Sequence, residues 1–146
     1  MRILVVYDSK FGNTERIARA IATGMGPSHK VKVEPVEEAQ TVDPTVDLII
    51  VGGPTQAHGA SPAMRRFLER VPNLPGTGIA AFDTRYEKPS WLTGAASGRI
   101  AKSLKHHGGH PVTPSVSFFV VHSEGPLEEG EEDRAAAWGA TLVGRA

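Results

Sequence analysis

Two short apolar segments of this sequence lack the polar alternation of a strand with one solvent-exposed face. Residues 2–7 are Arg-Ile-Leu-Val-Val-Tyr, and residues 46–52 contain Leu48-Ile49-Ile50-Val51. Such runs, rich in β-branched residues, are typical of strands that are covered on both faces. Strands of this kind occur in parallel sheets, whose crossover connections place helices on each face. The two segments therefore predict an α/β fold.

The rest of the chain repeats an order of strand, turn and amphipathic helix. Ser61 can cap a helix whose first residue is Pro62, and alternation in residues 30–35 indicates an edge strand. The predicted strands are residues 2–7, 30–35, 46–52, around 77–83, and 116–121. Helices are predicted from Asn13 or Thr14 to Gly24, from Pro62 to a point before Pro72, from Thr93 to His107, and from Glu128 to Val143. Together they predict a doubly wound, five-stranded parallel sheet in a single domain of residues 1–146.

Composition excludes several classes of protein. The chain has 146 residues, no cysteine, and a net charge of zero from sixteen residues of each sign. The absence of cysteine excludes disulfides, thiolate catalysis and iron–sulfur clusters, and the net charge argues against nucleic acid as the main partner. Its longest apolar runs have about six residues, whereas a membrane-spanning helix needs roughly 20, so we expect no membrane partner. Asp8 and Lys10 interrupt the first apolar run too early for a signal peptide, so we expect a cytoplasmic protein.

The segment Ser9-Lys10-Phe11-Gly12-Asn13-Thr14 follows the first predicted strand and opens the first helix. Unpaired backbone N–H groups at a helix start, together with the helix dipole, form an anion site. Ser9, Asn13 and Thr14 can add side-chain donors, and Gly12 allows close approach of the backbone. The alternative interpretation is structural: Asn13 or Thr14 caps the helix and Ser9 forms a turn. The residues of this segment alone leave both interpretations open.

The spacing in this segment excludes two known phosphate-binding motifs. A P-loop has Gly-x-x-x-x-Gly-Lys-Ser/Thr and a dinucleotide fingerprint has Gly-x-Gly-x-x-Gly, whereas the segment contains a single glycine. A response-regulator receiver has an acidic residue at the end of its third strand, where this chain has Gly52-Gly53. Ligands of such sheets bind beyond the carboxyl ends of the strands, so residues 53–61 and 83–92 are the other candidate loops.

Three segments at strand ends resemble the flavodoxin family. One contains Tyr7-Asp8-Ser9 and a loop similar to Ser/Thr-x-x-Gly-x-Thr; the others are Gly52-Gly53-Pro54-Thr55 and Phe82-Asp83-Thr84-Arg85-Tyr86. The resemblance covers nearly the whole chain, is to the short-chain type, and implies the strand order 2-1-3-4-5 and FMN as the cofactor. Phe11 departs from the family pattern, because many flavodoxins have a hydroxyl group there. Lys10 or backbone amides would have to compensate for that missing donor.

The resemblance also implies a role for each loop. The first would hold the phosphate of FMN through Ser9, Lys10, Phe11, Gly12, Asn13 and Thr14. The second would cover the inner face of the flavin ring through Pro54, Thr55, Gln56, His58 and Gly59. The third would hold the outer face and the pyrimidine edge of the ring through Asp83, Thr84, Arg85 and Tyr86.

Five residues in these loops carry more detailed expectations. His58 is expected to pack on the flavin and tune its potential through the charge of its imidazole; the alternative is an exposed histidine in a turn. The Gly59 peptide can flip and offer its carbonyl to N5–H of the flavin. Tyr86 is the candidate for outer-face stacking, whereas Trp91 is expected to pack at the base of the next helix. Arg85 either lies near N1 of the flavin or is a solvated surface charge.

The function that the resemblance implies is electron transfer. The sequence has no hydrolytic constellation and no metal-ligand set, so the chemistry would be that of the flavin. We interpret the chain as a one-electron carrier between a reductase and an acceptor protein, present as a monomer or weak dimer. Two alternatives stay open: an FMN-dependent reductase of quinones or porphyrinogens, and a flavin-free interaction module. The neutral charge is unusual, because typical flavodoxins are strongly acidic.

Overall fold

The computed structural model describes residues 1–39, 41–55, 60–86, 95–122 and 124–145, in which strands and helices alternate. The strands are β1 (Arg2–Tyr7), β2 (Lys30–Pro35), β3 (Leu48–Pro54), β4 (Gly78–Tyr86), β5 (His110–Pro111) and β6 (Val116–Val120). The helices are α1 (Asn13–Gly24), α2 (Pro62–Arg70), α3 (Ala96–His106) and α4 (Glu131–Val143).

The sheet is parallel and has the order β2-β1-β3-β4, with β5 and β6 both paired to the far side of β4. Ile79 lies opposite Pro111 and Phe82 lies opposite Val116, so the outer strand is longer than β4 between these two pairs. Residues 112–115, opposite the shorter stretch 80–81 of β4, divide the outer strand into β5 and β6. The predicted order 2-1-3-4-5 is confirmed, with β6 as its fifth strand. The two-residue strand β5 was not predicted.

Helices cover both faces of the sheet and form two apolar cores. On one face, α1 and α4 pack on alternate strand residues that include Val5, Ile50 and Phe82. On the other face, α2 and α3 pack on the intervening strand residues, whose side chains point the other way and include Val6 and Val51. Strands β1 and β3 are therefore buried on both faces, which explains why their sequences lack polar alternation.

Two glycines let the backbones of α1 and α4 come into contact. A Cβ atom at Gly24 would clash with the backbone of Ala136, and one at Gly139 would clash with the backbone of Ile21. Protein interiors are close-packed, so these positions leave no room for a larger side chain. The contact fixes the position of α1, whose first residue follows the loop predicted to bind phosphate.

Most element boundaries agree with the prediction to within a few residues. The larger differences are a start of β3 at Leu48, an end of β4 at Tyr86 and a start of α4 at Glu131. Helix α4 begins later than predicted because Gly130 has a φ of 84°, a left-handed conformation that glycine adopts at low cost. Helix α3 begins at Ala96, and its predicted first residue, Thr93, lies outside the described residues.

Candidate functional site

Three of the connections that leave the carboxyl edge of the sheet lie beside the predicted site residues. We call them the first loop (residues 8–12, after β1), the second loop (residues 55–61, after β3) and the third loop (residues 87–95, after β4). Gln56, His58 and Gly59 of the second loop and Trp91 of the third lie outside the described residues, so their roles stay predictions. The other predicted site residues are described, and all of them lie at this edge.

The first loop leaves backbone donors free at the start of α1. Gly12 is the residue before the helix and has a φ of 92°, which brings the loop sharply into the first turn. The Ser9 hydroxyl accepts hydrogen bonds from the N–H groups of Gly12 at 3.0 Å and Glu15 at 3.4 Å. Within the part of the chain that the structure describes, the backbone N–H groups of Lys10, Phe11, Asn13 and Thr14 have no hydrogen-bond partner.

Neither Asn13 nor Thr14 caps α1, which the structural interpretation of this loop required. The residue before the helix is Gly12, which has no side chain that could cap the helix. The Ser9 turn was predicted correctly. The unpaired N–H groups lie at the positive end of the α1 dipole, so the loop has the electrostatics of an anion site.

The side chains of Asn13 and Thr14 instead hold the loop in place. Asn13 Nδ2 donates to the carbonyl oxygen of Glu124 at 3.1 Å, and a Cβ atom at Gly125 would lie 2.7 Å from Asn13 Oδ1. Thr14 Oγ1 forms a buried hydrogen bond of 2.9 Å with Thr84 Oγ1 at the end of β4. The first loop is therefore fixed from two sides, by β4 and by the segment after β6.

Lys10 and Phe11 lie on the outside of the first loop. Phe11 is 47% exposed, and it is one of two large apolar side chains that the described structure exposes. Lys10 Nζ lies 5.2 Å from the centre of the Phe11 ring, a cation–π contact that leaves the ammonium group in solvent. The lysine is thus held at the rim of the loop by the residue that departs from the family pattern.

Thr55 and Asp83 together cap α3. The helix begins after Ala95, which has no side chain that could cap it. Thr55 Oγ1 accepts a hydrogen bond from Ala96 N–H at 3.1 Å, and Asp83 Oδ2 accepts one from Ser97 N–H at 2.9 Å. Two residues that were predicted to contact the flavin therefore also satisfy the first donors of a helix, a role that the sequence analysis missed.

The second carboxylate oxygen of Asp83 is buried without a hydrogen bond. Asp83 is fully buried, and Oδ1 has no hydrogen-bond partner among the described residues. Its nearest cation is Arg85, whose Nε lies 3.8 Å away. Arg85 Nε donates to Ser117 Oγ at 3.0 Å, and the guanidinium group lies 5.6 Å from the Phe119 ring centre. With its side chain 14% exposed, Arg85 is not a solvated surface charge.

Asp8 and Ser61 connect the first loop to the end of the second. The Ser61 hydroxyl donates to Asp8 Oδ2, accepts the N–H of Met64 at 3.1 Å and caps α2 as predicted. Both Asp8 and Ser61 are buried. The cap was predictable from the sequence but its partner was not, because Asp8 and Ser61 are far apart in the chain.

The described residues were also predicted to hold no metal ion and to cross no membrane. No group of three or more His, Cys, Asp or Glu side chains is arranged to hold a metal ion there. His106 and His107, which lie close in sequence, have ring centres 6.0 Å apart. None of the described helices is both long enough and apolar enough to cross a membrane.

A protein-family model described as "Flavodoxin domain" matches residues 4–91, more than half of the chain. No curated protein matches the chain significantly in sequence. The family match contains β1, α1 and β3 and therefore includes the first and second loops.

Solved structures share the fold at low sequence identity. Oxidised flavodoxin 1 from Bacillus cereus is 20% identical, with a TM-score of 0.82 over 100% of this chain and 99% of that chain. A flavodoxin from the domain Archaea is 22% identical, with a TM-score of 0.78 over 99% and 97%. A flavodoxin from Streptococcus pneumoniae TIGR4 is 20% identical, with a TM-score of 0.77 over 100% of both chains. At these identities the likeness establishes the fold.

Proposed function

Because this chain belongs to the flavodoxin domain family, we propose that it binds FMN and carries single electrons between a reductase and an acceptor protein. The observation that carries the proposal is the first loop. It presents unpaired backbone N–H groups at a helix start, between the Ser9 and Thr14 hydroxyl groups. An anion is the ligand that such a set of donors favours.

The phosphate group of FMN fits these donors. Four backbone N–H groups are free within the described structure, those of Lys10, Phe11, Asn13 and Thr14. Gly12 has no side chain that would keep a phosphate from reaching them. A phosphate would add negative charge at the positive end of the α1 dipole, which is favourable. The Ser9 hydroxyl accepts two N–H groups and can still donate its own proton to a phosphate oxygen. Lys10 contributes positive charge at the rim.

The flavin ring would lie between the second and third loops. Pro54 ends β3 and Thr55 follows it, whereas Tyr86 is half-buried at the end of β4 and would stack on the outer face. Gln56, His58 and Gly59 would cover the inner face. Bound FMN supplies the redox chemistry, whereas the chain binds it, orients it and limits the access of water.

Thr55, Asp83 and Thr84 support the ring site from below. Thr55 and Asp83 fix the start of α3, and Thr84 accepts the Thr55 N–H at 3.0 Å through its carbonyl oxygen. Since the Asp83 carboxylate is bound to α3, its contact with the ring edge would be made by the main chain. Arg85 would act near N1 only by leaving Ser117.

Flavin titration of the purified protein tests the proposal. We expect FMN absorbance and fluorescence to change with a 1:1 stoichiometry, and riboflavin to bind more weakly because it lacks the phosphate. Anaerobic stepwise reduction should then show two separate one-electron steps. A protein that binds neither flavin would be a flavin-free module. Sustained oxidation of NAD(P)H with menadione as acceptor would instead identify a quinone reductase.

A further inference from the structure

The neutral net charge of the chain conceals an uneven distribution. Helices α2 and α3 carry six cationic side chains and one carboxylate, Glu69. We call the six cations the basic face: Arg65, Arg66, Arg70, Arg99, Lys102 and Lys105, all of them exposed. On the other face of the sheet, α1 and α4 together carry four carboxylates and three arginines. Unbalanced positive charge is therefore concentrated on α2 and α3.

The basic face has no partner within the described structure. None of its six side chains forms an ion pair or a hydrogen bond with a described residue, whereas Arg16, Arg19 and Arg134 elsewhere each pair with a glutamate. The inward faces of the same helices are apolar, as Met64 and Ile100 illustrate. Unpaired like charges on neighbouring helices repel one another, so this arrangement does not stabilise the fold.

The basic face begins at the rim of the proposed flavin site. Ser61, directly before α2, is hydrogen-bonded to Asp8 at the start of the first loop. The first two residues of α3 are hydrogen-bonded to Thr55 and Asp83 at the ends of β3 and β4. Both helices therefore start at the carboxyl edge of the sheet, and Arg65 and Arg99 lie in their first turns.

We propose that the basic face is the docking surface for an acidic electron-transfer protein. The proposal rests on the proposed function, because it places the partner against the edge where the flavin would be reached. Complementary charge accelerates encounter and orients the partner, and it does so more strongly at low salt. The chain would thus differ from a carrier that presents acidic residues to basic partners.

A protein is a better occupant of this face than nucleic acid. Proteins that bind single strands stack bases on exposed aromatic side chains. The one Phe, Tyr or Trp in α2 and α3 is Phe67, which is 2% exposed. A net charge of zero is also unlike a nucleic-acid-binding domain.

The test compares binding of the acidic haem protein cytochrome b5, basic cytochrome c and a short DNA duplex. Isothermal titration calorimetry on the flavin-free chain gives each dissociation constant at roughly 0.01 M and 0.15 M ionic strength, where the Debye length is about 30 Å and 8 Å. The variant is Arg65→Glu/Arg99→Glu. Its control is Lys30→Glu/Lys32→Glu, which changes the net charge equally on β2, at the other edge of the sheet.

We expect cytochrome b5 to bind most tightly, and Arg65→Glu/Arg99→Glu to weaken its binding by about tenfold or more at low ionic strength. The control should change it by less than about threefold. With FMN bound and reduced, one electron passes from the flavin to the Fe(III) haem, giving Fe(II), and the rate of haem reduction should fall in parallel. Equal effects of the two variants, or tighter binding of cytochrome c or DNA, would overturn the proposal. Because the binding measurement needs no flavin, it remains decisive even if FMN does not bind.

Discussion

The hydroxyl groups of Thr14 and Thr84 form a buried hydrogen bond of 2.9 Å that joins the start of α1 to the end of β4. A hydroxyl group has one proton and two lone pairs, so Thr14 can accept from Thr84 and still donate its own proton. With Thr84 as the donor, the Thr14 proton would be available to a ligand. The same pair connects a residue expected at the phosphate with one expected at the flavin ring.

Replacing Thr14 with valine should weaken FMN binding by about tenfold or more, because a hydrogen bond to a charged group contributes about 1.5–3 kcal/mol. Riboflavin binding should change little, since riboflavin has no phosphate. Fluorescence titrations with both flavins measure the two effects. Thr23→Val, at an exposed threonine near the end of the same helix, should change the affinity for either flavin by less than about threefold. Equal losses of FMN and riboflavin affinity in Thr14→Val would show that the first loop does not hold the phosphate.

The cap that Thr55 and Asp83 form on α3 should contribute to stability. Asp83→Ala removes the acceptor of Ser97 N–H, and we expect it to lower the free energy of unfolding by about 1–3 kcal/mol. Thr55→Val should lower it by about 1 kcal/mol, as for other lost helix caps. Urea unfolding followed by circular dichroism measures both changes.

Two further variants make the capping prediction specific. Asp83→Asn keeps an acceptor for Ser97 and removes a carboxylate whose second oxygen has no hydrogen-bond partner among the described residues, so it should cost less than Asp83→Ala. Thr41→Val, at an exposed threonine, should stay within about 0.5 kcal/mol of the wild type. If Asp83→Ala were as stable as Thr41→Val, the cap would have no energetic role.

The sequence predicted the elements but not the contacts that fix the loops. Strands β1 and β3 were identifiable because burial on both faces leaves a continuous apolar run. The cap on α3 was not predictable, because Thr55 lies 41 residues from Ala96 and becomes its neighbour only through the order of the strands. The Asp8–Ser61 and Thr14–Thr84 pairs have the same origin: each joins residues far apart in the chain that meet only at the carboxyl edge of the sheet. The free backbone N–H groups of the first loop are a local feature of the helix start, and the sequence indicated them.

Alanine at Gly139 should destabilise the protein by about 1–3 kcal/mol, because its Cβ atom would clash with the backbone of Ile21 and push α1 and α4 apart. Thermal and urea unfolding measure the change. Gly98, in α3, has open space around the corresponding position, so Gly98→Ala should stabilise the helix by about 0.5–1 kcal/mol. We therefore expect the free energy of unfolding to fall in Gly139→Ala and to rise in Gly98→Ala. Destabilisation by both substitutions would refute the argument from close packing.

Glu131 and Arg134 cover the exposed edge of β6. Glu131 Oε2 accepts the N–H of Phe119 at 2.8 Å, and Arg134 donates to the carbonyl oxygen of Ser117 at 2.6 Å. Arg134 also pairs with Glu131. Satisfying the N–H and C=O groups of an edge strand in this way prevents it from pairing with another chain. The hydrogen bond from Arg134, and then that from Phe119, lower the pKa of Glu131, against the opposing effect of burial.

The contribution of Glu131 to stability should therefore depend on pH. Because its pKa is lower in the folded state, the carboxylate stabilises the fold above the ordinary glutamate pKa of 4.5, and this stabilisation is lost as the pH falls through the folded-state value. Glu131→Gln should be less stable than the wild type at pH 7, by about 1–2 kcal/mol, with a difference that shrinks below pH 4.5. Urea unfolding from pH 7 to pH 3 measures it. Glu132→Gln, which removes an exposed partner of Arg16, should show a small difference over this range. A difference for Glu131→Gln that does not change with pH would mean that its charge plays no part in holding the edge of the sheet.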